Sequence, residues 1–274
     1  MMKQLDVRNP FEGPVYYTDS CESTMDEARR LTKEGARSGT VIMAGLQTKG
    51  RGRRETRRWV SSAGKNLMFT LILRYPDFSQ IPAAMTLRAG IAVANAIEAD
   101  APLLSPRLAV KWPNDVMLNG KKCAGIIAES DCSAVLLGIG VNITEDFKDA
   151  HIDGAAYRAT SVAGELAELD AEVSAAYAKT PLRIQCFLEK ALFSLYHTLS
   201  SDFDNSWRME LEKRLYMKGE TVCFMAGGIP ADRGCPPRLV TGVFMGINEN
   251  GAVRILAEGA ENPETFIAGE FVSQ

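Results

Sequence analysis

The chain has 274 residues, 46% of them hydrophobic, enough to bury one large core and a small second one. Its 31 Lys and Arg against 34 Asp and Glu give a net charge of -3, which argues against a surface built as a whole for nucleic acid or anionic membrane. With two histidines, His151 and His197, and six cysteines that form no CxxC pair, a histidine-rich metal site or multi-histidine relay is excluded, and the chemistry falls to lysine, arginine, carboxylates or backbone.

The opening "MMKQLDVRNPFEGP" lacks the apolar run of a signal peptide, and no stretch is apolar for the roughly 18 residues that span a bilayer, so a reduced, cytoplasmic setting is expected. "DSCESTMDEARRLTKEG" predicts a helix entered at Ser23 or Thr24, because Ser23 to Asp26 and Thr24 to Glu27 both have capping-box spacing, with Gly35 at its exit. "GTVIMAGLQ" predicts a buried strand that delivers Gln47 to a basic segment, "KGRGRRETRRW", and "NLMFTLILR" a second strand after it. Ala83 to Glu98 reads as a long helix packed on the sheet, and "RLAVKW" as a strand ended by Pro113. Asn119-Gly120 between two apolar runs is a strong hairpin signal. "SAVLLGIGVNIT" follows as a strand, its glycines expected to alternate in direction.

Between residues 145 and 180 only "TSVAGELAE" reads clearly as a helix, and "PLRIQCFLEKALFSLYHTLSSDF" predicts an amphipathic helix of about five turns with Pro181 in its first turn. Short strands in "ETVCFMA", "RLVTGVFMGINENGAVRILA" and "ETFIAGEFVS" predict a small β-barrel from about Gly219 onward. The expected organisation is a main domain over 1–215 and a small β-barrel domain over 216–274, the first an α/β core with a mixed, mostly antiparallel sheet flanked by helices.

Three segments carry the chemistry. From Lys49 to Arg58 the basic segment holds six cations and one carboxylate, and Gly50 and Gly52 leave its backbone free to move and to approach a ligand. Charge alone divides it between a solvated or nucleic-acid-binding loop and an anion site; its place between two core strands favours the latter, since scaffolds carry functional loops this way. It lacks the GxxxxGK[ST] spacing of a phosphate-cradling loop. "KWPND", Lys111 to Asp115, sets a cation, an aromatic ring and an amide beside a carboxylate, though Pro-Asn-Asp is also plain turn chemistry. Period-two alternation lets Lys122 on the returning strand aim at the same place, or serve as an edge cation with Lys121. "GIGVN", Gly138 to Asn142, fits either a bulge or a flat ligand lying on the sheet.

In this order and spacing "STM", "GRGRRETRRW", "KWPND", "KKCAGIIAE" and "GIGVN" resemble the biotin protein ligase family from about Ser20 to Thr144. The resemblance implies a class II synthetase-like ligase core with an SH3-like barrel, in the form without an N-terminal DNA-binding segment. It implies activation of biotin with ATP and Mg²⁺ to biotinyl-5'-AMP and transfer to a lysine of a biotin carboxyl carrier domain. Ser23, Thr24 and Gln47 would bond the ureido ring, with Gly50, Gly125, Gly138 and Gly140 as walls. Lys122, Arg51 and Arg53 would be the catalytic cations, the first two also holding biotin. Arg51, Arg53, Arg54, Trp59, Lys111, Asn114 and Asn142 would meet ATP or the adenylate, and Asp115 would help position Mg²⁺. Two departures stand out: Met25 where the family usually has Asn, and Glu55-Thr56 inside the basic loop. A lipoate or octanoate ligase and a nucleic-acid-binding module are the rival readings; no nucleic acid or membrane partner is expected, and a homodimer stays open.

Overall fold

The structure, a computed structural model, describes residues 2–53, 58–131, 134–147, 157–200, 206–227 and 238–272. It opens with β1 (Lys3–Leu5) and β2 (Val15–Thr18), then α1 (Thr24–Lys33), β3 (Val41–Ala44) and β4 (Asn66–Arg74). Next come α2 (Met85–Asp100), β5 (Leu108–Lys111), β6 (Asp115–Leu118), β7 (Lys121–Asp131) and β8 (Ala134–Asn142). Four helices follow: α3 (Val162–Ala167), α4 (Ala171–Lys179), α5 (Arg183–Ser200) and α6 (Ser206–Arg214). The chain finishes with β9 (Thr221–Ala226), β10 (Arg238–Ile247), β11 (Val253–Ala257), β12 (Glu264–Phe266) and β13 (Gly269–Val272).

The first eight strands form one sheet in the order β1-β2-β3-β4-β8-β7-β6-β5, in which only β2 and β3 run parallel. Its centre is β4 and β8, whose near-continuous apolar runs suit strands covered on both faces. On one face α2 buries Leu87, Ile91, Val93 and Ile97, and α5 packs over it; on the other lies α1, with Met25 and Ala28 against Ile42, Ile72 and Leu136. The hairpin at Asn119-Gly120 is as expected, both residues having positive φ (54° and 73°), the conformation this pair is chosen for. The last five strands form a separate, wholly antiparallel sheet, β12-β11-β10-β9-β13, consistent with the small β domain expected.

Three sequence readings change. Pro181 is not in the first turn of α5, which begins at Arg183 after Leu182 takes a left-handed conformation (φ 52°). Gly138 and Gly140 do not point in opposite directions: two residues apart on a strand, they share the face toward α1 and the basic loop. Trp112 is not an aromatic surface beside a pocket. It is buried between the two sheets, its ring 5.6 Å from Phe224 and 6.4 Å from Phe271, and its indole N–H donates to the Gly251 carbonyl at 2.9 Å. One apolar core therefore runs continuously from the large sheet into the small one.

Candidate active site

The α1 face of the large sheet carries a row of residues set side by side by strand register: Asp115 on β6, Gly125 on β7, Gly140 on β8 and Met68 on β4. Two adjacent glycines leave this part of the sheet without side chains, a shallow slot bounded by bulkier neighbours. The indole of Trp59 occupies it: a Cβ at Gly140 would stand 2.8 Å from two of its ring carbons, and one at Gly125 would stand 3.4 Å from the ring. The indole Nε1 is buried and has no hydrogen-bond partner among the described residues.

One wall of the slot is the start of α1. Ser23 caps the helix, its hydroxyl accepting from the Met25 amide at 3.3 Å, and both Ser23 and Thr24 are buried. The Thr24 amide and hydroxyl donate to Gln47 Oε1 at 2.7 and 3.1 Å, and the Thr70 hydroxyl donates to Thr24 Oγ1 at 2.9 Å. Gln47 thus joins the loop's first residues to the helix, a tie that the backbone bridge between Cys21 and Gln47 reinforces. Cys21 is chemically quiet, since burial, then Glu27 and Asp26, push its thiol up to about 11. Met25 shapes the inner end: a Cβ at Gly138 would stand 2.7 Å from its sulfur, so the thioether covers that glycine.

Across the slot Lys122 extends its ammonium to Asp115 Oδ1 at 2.6 Å, an ion contact whose angles are not those of a hydrogen bond. A Cβ at Gly125 would lie 3.4 Å from the same ammonium, so the cation borders the glycine row. Lys122 is steadied from behind by the segment 158–160: its amide donates to the Arg158 carbonyl and its carbonyl accepts from Thr160, at 2.8 and 2.9 Å. Thr160 Oγ1 in turn donates to Glu165, a fully buried carboxylate that also receives Lys121 Nζ at 2.7 Å and the Asn119 amide at 3.0 Å. Burial raises the pKa of Glu165, but the hydrogen bonds from Lys121, Thr160 and Asn119 more than offset it, and the group lies below its ordinary value.

The basic loop closes at its neck, where the Trp59 amide donates to the Gly50 carbonyl at 2.9 Å and Arg51 bridges Arg58. Gly50 has no room for a side chain, a Cβ there falling 2.6 Å from the Trp59 carbonyl. Arg51 donates to Asp26 Oδ1 at 2.7 Å, and Arg53 reaches the small sheet, donating to the Gly269 carbonyl at 2.9 Å. On the exit side Glu145 accepts from the Ser62 amide, the Ser62 hydroxyl and the Asn66 amide, each at 2.7 Å, which fixes where the loop rejoins β4. Arg54 and the Glu55-Thr56 departure lie outside the described residues.

The fold therefore brings together Ser23, Thr24, Gln47, Gly50, Trp59, Gly125, Gly140, Lys122 and Asp115. Asn142 and Asn114 already give their amides to the Thr160 and Ile126 carbonyls, and Lys111 is buried with its ammonium 4.2 Å from the centre of the Tyr157 ring. Sequence reasoning did not single out Thr70, Glu129, Glu145 or Glu165. Nothing local marks them, because each acts through a partner remote in sequence. No group of three or more His, Cys, Asp or Glu placed to hold a metal occurs among the described residues. Asp115, one carboxylate with a buried oxygen, fits a Mg²⁺ carried mainly by phosphates.

The fold and this site define a ligase-type α/β core: a mostly antiparallel sheet with a glycine slot, a lysine–carboxylate pair at its edge and an arginine loop above it. Residues 17–146 match the biotin/lipoate A/B protein ligase family. It is 39% identical over 144 residues to the bifunctional ligase/repressor BirA of Bacillus spizizenii, covering 49% of this chain and 43% of that protein. It is 40% identical over 150 residues to the biotin–[acetyl-CoA-carboxylase] ligase of Paracoccus denitrificans, covering 53% of this chain and 60% of that one. The match thus spans less than two thirds of either relative's length. Among solved structures, the biotin protein ligase of Aquifex aeolicus in complex with biotin and ATP superposes with a TM-score of 0.69 at 26% identity, covering 95% of this chain and 98% of that one.

Proposed function

We propose that the protein is an ATP-dependent biotin protein ligase of the biotin–[acetyl-CoA-carboxylase] type, with a catalytic domain over 1–215 and an SH3-like domain over 216–274, working in the cytoplasm. The observation that carries the reading is the bare row Gly125–Gly140 with Lys122 at its border: a flat ring fits on the glycines, and the cation stands where a carboxylate tail would end.

In the first half-reaction the biotin carboxylate oxygen attacks the α-phosphorus of ATP, a new P–O bond forms, and pyrophosphate leaves with the electrons of the bond that breaks. Substrate and phosphates bring several negative charges into one place, so Lys122 and the arginines Arg51 and Arg53 act by position and field. Mg²⁺ bound to the ATP phosphates, with Asp115 as its protein carboxylate, would neutralise charge on the leaving group. In the second half a carrier lysine amine attacks the acyl carbon and AMP departs, the carrier being a biotin carboxyl carrier domain. For biotin to lie in the slot, Trp59 must leave it. The indole is then free to cover the adenylate as the loop closes and excludes water. Ser23, Thr24 and Gln47 form the polar end that meets the ureido group.

The test is exchange of labelled pyrophosphate into ATP by the purified protein with biotin, lipoate or octanoate present. Exchange that depends on biotin alone supports the proposal; exchange with lipoate or octanoate and none with biotin overturns it in favour of the other branch of the family.

A further inference from the structure

Asp26 occupies the third position of α1, where its carboxylate was placed to close a capping box on Ser23. The structure spends it differently. Its Oδ1 accepts from Arg51 NH2 and from Arg29 NH1, each at 2.7 Å. Glu129 on β7 repeats the pattern, 2.5 Å from Arg29 NH2 and 3.8 Å from Arg51 Nε. Two guanidiniums and two carboxylates thus form a closed ring of alternating charge, with Asp131 contacting Arg29 at 3.6 Å from outside. Three of the four come from the helix and the sheet, so the ring tethers one residue of the basic loop to two rigid elements.

We infer that Asp26, seconded by Glu129, is a positioning residue that holds Arg51 ready for the anionic ligands of the adenylating step; this rests on the reading of the site given above. Two features argue for holding rather than sequestration. Arg29 shares both carboxylates, so neither is spent on Arg51 alone. Among the described residues the Arg51 guanidinium commits one nitrogen to a hydrogen bond, and its buried Nε makes none, which leaves donors for a carboxylate or phosphate. Arg29 and the positive end of the α1 dipole would drive a free Arg51 away, and Asp26 reverses the sign of the field it meets there. A cation already in place spares the ligand the cost of ordering it.

The experiment compares Asp26→Asn, Asp26→Glu, Arg51→Gln and the double variant Asp26→Asn/Arg51→Gln by two readouts. Brief trypsin digestion without ligand, followed by mass spectrometry, gives the rate of cleavage at the Arg51–Gly52 bond; biotin-dependent pyrophosphate exchange gives KM and kcat. The ring is partly exposed, so Asp26→Asn should raise the biotin KM about two- to fivefold, with kcat little changed. Cleavage after Arg51 should accelerate, Asp26→Glu should restore both values, and in the Arg51→Gln background, which has no tryptic site at that position, Asp26→Asn should add nothing to KM. Unchanged cleavage and KM, a lowered KM, or a full effect of Asp26→Asn without Arg51 overturns the inference. If the wild type shows no exchange with biotin, the functional reading has failed, and the cleavage readout still decides whether Asp26 holds Arg51.

Discussion

The indole of Trp59 rests on Gly140, so close that a methyl group on that glycine would stand 2.8 Å from its ring carbons. The same ring reaches Gly125 on the neighbouring strand, so a residue of the basic loop fills the surface that a flat ligand needs. Substituting Gly140→Ala should leave the fold intact, because the obstructing atoms belong to a loop side chain, but it should weaken biotin about tenfold or more by crowding the slot. Calorimetric titration of the variant checks this; unaltered affinity would mean that the ligand lies elsewhere.

Trp59 also offers a signal. The other two tryptophans, Trp112 and Trp207, are buried in the core and should be indifferent to ligand. Biotin with ATP should therefore change the intrinsic fluorescence of the wild type, and Trp59→Phe should abolish the change. A full response in that variant would show that the indole does not move.

Lys122→Ala removes the cation at the edge of the slot and leaves the partly buried Asp115 without it. Pyrophosphate exchange should fall about a hundredfold or more, the scale of losing a charge-stabilising group. Near-normal exchange by a folded variant would contradict the role given to Lys122.

Much of the site was legible because its parts are local. The capping Ser23, the Asn119-Gly120 turn and the long apolar strands announce themselves by short-range rules, and they place Gln47, Lys122 and Gly140 without further help. What escaped reading depends on distant partners. β1 and β2 are too short to show a period, α4 and α6 have weak amphipathicity, and Glu165 looks like any surface glutamate until the hairpin closes over it. Trp112 was misplaced for the same reason, since only the second sheet reveals what its ring packs against.

Glu165 makes a prediction about acid. Its folded pKa lies below the ordinary value, so its contribution to stability is complete above the unfolded glutamate pKa of about 4.3 and is lost as pH falls through the lower, folded value. Glu165→Gln should cost about 1 to 3 kcal/mol at neutral pH, as the hydrogen bonds that Lys121 and Thr160 make to it weaken, and should flatten the acid limb of the stability curve. Urea unfolding at pH 7 and pH 4 measures both effects; identical curves for variant and wild type at both values would refute them.

Trp112→Ala should be costlier, about 3 to 5 kcal/mol, because it empties the joint between the two sheets and strands the Gly251 carbonyl. Since Arg53 of the basic loop is anchored on Gly269 of the small sheet, the same change should loosen the loop and raise its protease sensitivity. Equal sensitivity would show that the loop is indifferent to how the sheets are joined.

Biotin transfer through an adenylate, as proposed for this protein, can be weighed: the protein is incubated with biotin, ATP, Mg²⁺ and a biotin carboxyl carrier domain, and the carrier is analysed by mass spectrometry. A carrier heavier by one biotinyl group on a single lysine, formed only when ATP is present and lost with Lys122→Ala, is expected. An unmodified carrier, or one that takes lipoate in place of biotin, would contradict it.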